Sequence, residues 1–140
     1  MPDIPYTKVT GISPIPIITI YFNNPDNSSM MANSGCGILD TGSDLTIVSF
    51  GIISQLQATA TDKQKAIPFR GLGRLTAGIP YRVGMSFDGT IFFGVKVIAV
   101  PDDVLNGEII IGRNILNRYA IEFDGPNLVF RIKTNQKYNN

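Results

Sequence analysis

The chain contains no histidine and a single cysteine, Cys36. The first absence removes every mechanism in which an imidazole activates a serine or cysteine nucleophile. The two together leave too few nitrogen and sulfur ligands for a structural zinc site, so no metal or cofactor is expected. A lone cysteine forms no intramolecular disulfide, which fits a reducing compartment. There is no basic run and the net charge is only +1. An electrostatic footprint for nucleic acid is therefore missing. No apolar stretch approaches the roughly 18 residues of a membrane span. The opening Met-Pro-Asp-Ile-Pro-Tyr has neither the basic nor the apolar region of a signal peptide. The expectation is a cytoplasmic protein with neither nucleic acid nor membrane as partner.

What is present describes a packed globule. Hydrophobic residues make up 44% and charged residues 16% of 140 positions, a balance of folded rather than disordered chains. That length predicts one domain over residues 1–140, burying about two-thirds of its extended-chain surface.

Extended segments dominate. Ile15 to Phe22 is β-branched and aromatic, and Pro16 confines its start to an edge or strand end. Residues 23–35 are turn chemistry throughout and predict a long, mobile hairpin connection. Cys36 to Leu39 and Leu45 to Phe50 read as strands. Residues 51–66 carry apolar positions at helical spacing in Ile52, Ile53 and Leu56, so a short helix or a loop falls there. Ile67 to Arg70 and Leu75 to Val83 flank Gly71-Leu72-Gly73-Arg74, a hairpin tip in which Gly78 is a further candidate. Val83 to Phe87 and Ile91 to Val100 are joined at Asp88-Gly89, a two-residue hairpin signal. Ile109 to Ile111 is a strand, and Arg113 to about Arg118 a helix. Ala120 to Phe123 and Leu128 to Ile132 form a last hairpin. Residues 1–11 read as a tail or edge strand, and 133–140 as a frayed end. The class is all-β, a small closed barrel with one short C-terminal helix.

The segment Ile38-Leu39-Asp40-Thr41-Gly42-Ser43-Asp44-Leu45 stands out. An apolar strand runs into an acid, turns on a glycine and leaves as another apolar strand. Asp-Thr-Gly-Ser alone is ordinary turn chemistry. Here its shoulders are apolar, and a second signal follows about 70 residues later: Ile110-Ile111-Gly112-Arg113-Asn114.

Together the two motifs resemble the retropepsin-like aspartic proteases, the family of retroviral proteases and their cellular and bacterial relatives. The correspondence spans about residues 15–132. The longer C-terminal hairpin and the long 23–35 connection look more like a cellular or bacterial member than a compact viral one. The resemblance implies an aspartic endopeptidase acting on peptide or protein substrates. Asp40, Thr41 and Gly42 would form the catalytic triplet. Ile110, Ile111, Gly112, Arg113 and Asn114 would form the structural motif beneath it. Gly71, Leu72 and Gly73 would be the tip of a flap closing over substrate.

In such chemistry two carboxylates share one proton across a lytic water. The chain holds one Asp-Thr-Gly. Asp88-Gly89-Thr90 has the wrong order and lies in a turn, Asp124 lies in a Gly-Pro turn, and Glu122 alternates with apolar neighbours as a solvent-facing residue does. The second acid must come from a second copy, so a homodimer with a two-fold axis near Asp40 is expected, as the resemblance also implies.

Residue by residue, Thr41 would bury its hydroxyl across the dimer, and Gly42 would offer its carbonyl to a substrate amide. Ser43 is expected to donate its hydroxyl to Asp40, lowering the pH optimum relative to relatives with alanine there. Asp44 and Arg113 would form a bidentate ion pair locking turn to helix; Ser43 and Asp44 also border the substrate. Cys36 is expected to be a small buried filler. The alternative to a protease is a catalytically silent, dimeric peptide-binding or scaffold module of the same fold.

Overall fold

The computed structural model describes residues 2–60, 67–71 and 74–134. In chain order the elements are β1 (Ile4–Pro5), β2 (Ile17–Asn24), β3 (Asn27–Met31), β4 (Gly35–Leu39) and β5 (Thr46–Ser49). Then follow α1 (Phe50–Leu56), β6 (Ile67–Gly71), β7 (Arg74–Ser86), β8 (Phe93–Val100) and α2 (Asp102–Leu105). Last come β9 (Glu108–Ile111), α3 (Arg113–Leu116), β10 (Tyr119–Asp124) and β11 (Val129–Thr134).

The main sheet runs β3-β2-β4-β9-β5-β8-β7-β6, and an extra β2–β7 pairing closes the six strands between them into a barrel. A separate sheet, β1-β11-β10, carries the N-terminal segment on the C-terminal hairpin. Asp3 reinforces that seat through two bonds from Arg131, at 2.6 and 3.2 Å.

Burial follows alternation. Ile18, Ile20 and Phe22 of β2, Val83 and Met85 of β7, Val95 and Val97 of β8, and Ile109 and Ile111 of β9 fill one core. The opposite face of the same wall holds a second cluster of Ile47, Ile98, Val100 and Ile110, covered by Leu105 of α2. This double burial explains the unbroken apolar runs at Val97–Val100 and Ile109–Ile111. Both strands also take part in parallel pairings, β5 with β8 and β4 with β9, an arrangement that needs both faces covered. Burying each such side chain contributes about 1.5–3 kcal/mol.

Four expectations are corrected. Residues 23–35 are not one long connection: β2 continues to Asn24 and turns back as β3, an exposed edge strand. Its Asn and Ser residues bond locally, with Asp26 N–H donating to Asn24 Oδ1 at 2.8 Å and Ser29 to Asn27 at 2.8 Å. The Asp88-Gly89 hairpin is not a two-residue turn, because the ladder ends at Met85↔Phe93. Ser86 and Asp88 hold the wider loop open. The Asp88 carboxylate accepts from the N–H groups of Ile91 and Thr90, which hold its pKa well below the usual carboxylate range. β7 is one continuous strand rather than two, with Gly78 paired to Ile67 in its ladder and not at the tip. Among the described residues α2 is a short helix that was not expected, beside α3 and the helix α1 at the position where a helix or a loop was expected. Among the described residues no helix is long and apolar enough to cross a membrane.

Candidate active site

Asp40 stands where β4 ends. Its N–H donates to the Ile111 carbonyl at 3.0 Å, so the last ladder bond of the parallel β4–β9 pair fixes its backbone. The chain then turns on itself: Ser43 N–H donates to the Asp40 carbonyl at 3.2 Å. Gly42 N–H donates to Asp40 Oδ1 at 2.9 Å, aiming the carboxylate. Asp40 is half-buried, while Thr41 and Gly42 are exposed on the turn. An acid here is oriented by the backbone and still reachable from solvent.

The second motif clips this turn in place. Arg113 N–H donates to the Ser43 carbonyl at 2.8 Å and Asn114 N–H to the Asp44 carbonyl at 3.2 Å. Arg113 Nη1 donates to the Thr41 carbonyl at 2.7 Å. Gly112 is obligatory for packing, not for φ. A Cβ there would drive into the backbone of Leu45, where nothing flexible can yield. Ile110 and Ile111 lie beside Ile38 and Leu39 in register, one on each face of the wall.

Three side-chain expectations fail. Ser43 Oγ donates to the Leu45 carbonyl at 2.6 Å, not to Asp40. A hydroxyl has one proton, and a carbonyl two residues ahead is the nearer acceptor for a serine in a turn. The argument for a lowered pH optimum falls with it. Asp44 and Arg113 form no ion pair among the described residues, for the guanidinium is engaged by Thr41 and Asp44 is exposed. An exposed pair gains little over water, so a short bond to a fixed carbonyl wins. Cys36 is exposed rather than buried, because it occupies the outward register of β4.

Reading the sequence missed Thr46. It is fully buried, and its hydroxyl donates to Asn114 Oδ1 at 2.9 Å while accepting from Gly112 N–H at 3.1 Å. Asn114 Nδ2 donates onward to the Lys96 carbonyl at 2.8 Å. One hydroxyl thereby joins β5, the Gly112 corner and, through Asn114, β8. The available signal was a single polar residue inside the apolar run Leu45-Thr46-Ile47-Val48.

The hairpin expected to act as a flap is present as β6 and β7, with Gly71 paired to Arg74 at its last rung. Leu72 and Gly73, the expected tip, lie outside the described residues. Among the described residues no cluster of three or more His, Cys, Asp or Glu side chains is arranged to hold a metal.

No protein-family model matches the sequence, and no curated protein does. Solved structures do. EIAV protease complexed with the inhibitor HBY-793 superposes with a TM-score of 0.52 at 16% identity, covering 79% of this chain and 92% of that one. A foamy viral protease-reverse transcriptase in complex with RNA/DNA hybrid gives 0.47 at 12% identity, covering 74% of this chain and 12% of that one. The EIAV structure is a retroviral protease, so the expectation of a cellular or bacterial member draws no support from it. At this identity the likeness speaks to architecture: the closed barrel described above is a retropepsin-like fold.

Proposed function

We propose that the protein is an aspartic endopeptidase, active as a homodimer, in which two Asp40 carboxylates meet across a two-fold axis. The observation that carries this reading is the placement of Asp40. It stands at the end of an interior strand, is aimed by Gly42 N–H, and is braced by Arg113 and Asn114.

One carboxylate, ionised, takes a proton from a water lying between the pair as that water attacks the peptide carbonyl. The other, protonated, donates to the oxygen on which charge develops. Two acids this close do not both ionise, so their titration belongs to the pair and not to either residue. The amine leaves with a proton from the dyad, and the shared proton is restored. Thr41, whose hydroxyl is exposed and without a hydrogen bond among the described residues, would bond across the axis. Gly42 would offer its carbonyl to the extended substrate. The β6–β7 hairpin, whose expected tip is Gly71, Leu72 and Gly73, would close over it. Ser43 and Asp44 would border the substrate-binding floor.

The test pairs sedimentation of the purified chain with digestion of a peptide library between about pH 3 and pH 8. A dimer that cleaves, and an Asp40→Asn variant that stays dimeric and does not, is the expected result. A strict monomer that still cleaves would overturn the mechanism, since a single Asp-Thr-Gly cannot supply both acids.

A further inference from the structure

Away from Asp40, the outer face of β2, β7 and β8 holds polar side chains that have no protein partner among the described residues. The three strands are in register at Asn23, Gly84 and Gly94. The Asn23 carboxamide lies directly over Gly84, where a Cβ would collide with it. The Arg82 guanidinium likewise lies over Gly94. Two polar side chains are thus laid flat across two facing glycines, one ladder step of about 5 Å apart.

Asn23 is 5% exposed, and among the described residues its side chain makes no hydrogen bond. A buried amide without a partner costs about 1–3 kcal/mol and calls for an explanation. On the next rung of the same face Lys96 stands opposite Arg82 in the β7–β8 ladder, exposed, one like charge facing another. Such a pair is unfavourable on its own. Neither of these two cations lies within ion-pair distance of a carboxylate among the described residues. Among the described residues the acids that do pair are gathered instead around Arg131 and Lys133.

We propose that this face is an oxyanion-binding site, in which Arg82 and Lys96 take a phosphate or carboxylate group and Asn23 supplies a neutral hydrogen bond to it. An oxyanion would relieve the Arg82–Lys96 repulsion and give the buried carboxamide its missing partner. It would also accept the guanidinium's paired N–H groups in their preferred geometry. The glycines matter because they let both side chains lie flat, leaving the Gly94 surface exposed beneath the ligand. The site is independent of the proteolytic reading.

The experiment is a titration of the full chain with inorganic phosphate, and separately with acetate, at constant ionic strength, followed by amide chemical shifts. Gly84 and Gly94 are expected to shift saturably. Arg82→Gln should weaken binding at least about tenfold, the loss of one charge-assisted bidentate contact. Gly94→Ala should weaken it similarly without altering any charge, because its methyl group displaces only the far end of the Arg82 side chain. Lys133→Gln, remote and paired to Glu122, should leave it unchanged. Saturation by phosphate alone identifies a tetrahedral phosphate site; saturation by both probes identifies a site that also takes carboxylates. Shifts that never saturate, or that survive Arg82→Gln, would overturn the proposal as diffuse surface attraction.

Discussion

Replacing Thr46 by valine isolates the buried bridge under the Asp40 turn. The two side chains have nearly the same shape, so packing is preserved and only the hydroxyl is lost. Gly112 N–H, buried in the wall, then has no acceptor in place of the 3.1 Å bond. Asn114 Oδ1 loses its 2.9 Å donor, though it is half-buried and recovers part of that loss from water. A buried donor left unmade costs about 1–3 kcal/mol. With the weaker second loss, Thr46→Val should destabilise by about 2–3 kcal/mol. For a domain this size that corresponds to a melting temperature lower by about 8–12 °C. Thr46→Ser keeps the hydroxyl and removes one methyl group, at about 1 kcal/mol. Urea melts at one fixed protein concentration separate the two, and the concentration must be matched because the proposed dimer would make apparent stability depend on it. The order expected is wild type, then serine, then valine. A valine variant as stable as the serine variant would refute the bridge and reduce Thr46 to an ordinary core residue.

Other predictions follow from single contacts. Gly112→Ala drives a methyl group into the Leu45 backbone; a loss above about 3 kcal/mol or failure to fold is expected, read by denaturation or soluble yield. Gln57 closes α1 at φ 51°, so Gln57→Gly should raise stability by up to about 1 kcal/mol, the strain of a left-handed non-glycine residue less the chain entropy of glycine. Asp88 has a folded pKa below its unfolded one. The stability it contributes is therefore complete above the unfolded carboxylate range and drains away as pH falls below it, toward the depressed folded value. The urea midpoints of wild type and Asp88→Asn should differ most near neutrality and converge on acidification.

How much was legible in advance depends on whether a residue's surroundings were local. Ile110-Ile111-Gly112 spoke plainly because two-sided burial leaves a continuous apolar run. Asp40-Thr41-Gly42 spoke through its apolar shoulders. β3 did not, since Asn27-Ser28-Ser29 is turn chemistry that becomes a strand only because Asn23 and Asn24 stand beside it in the edge pairing. The Asp88 loop misled for a related reason. Asp-Gly marks a tight hairpin, yet the Ser86 hydroxyl, itself buried, takes Gly89 N–H at 2.9 Å and Asp88 N–H at 3.2 Å and widens the turn. Neither Ser43 nor Thr46 reveals its acceptor from sequence spacing, because each hydroxyl chooses among carbonyls and amides that only the fold brings near.

The replacement of an expected Asp44–Arg113 ion pair by a bond to a carbonyl changes how the turn responds to its surroundings. An exposed ion pair weakens as salt screens it, over a Debye length of about 8 Å at physiological strength. Here the turn is held by Arg113 and Asn114 N–H groups and by a guanidinium bonded to the Thr41 carbonyl, a neutral acceptor. Screening acts on only a small part of that attachment. Salt that leaves the fold intact should therefore leave the Asp40 turn intact as well, and Asp44→Asn should cost no more than about 0.5 kcal/mol, the range of an unpaired surface residue. Among the described residues the Asp44 charge has no ion-pair partner, four residues from Asp40. If removing it altered peptide cleavage while stability stayed unchanged, Asp44 would be acting on substrate rather than on the turn. A large loss of stability in Asp44→Asn would instead restore the ion pair and contradict the arrangement described.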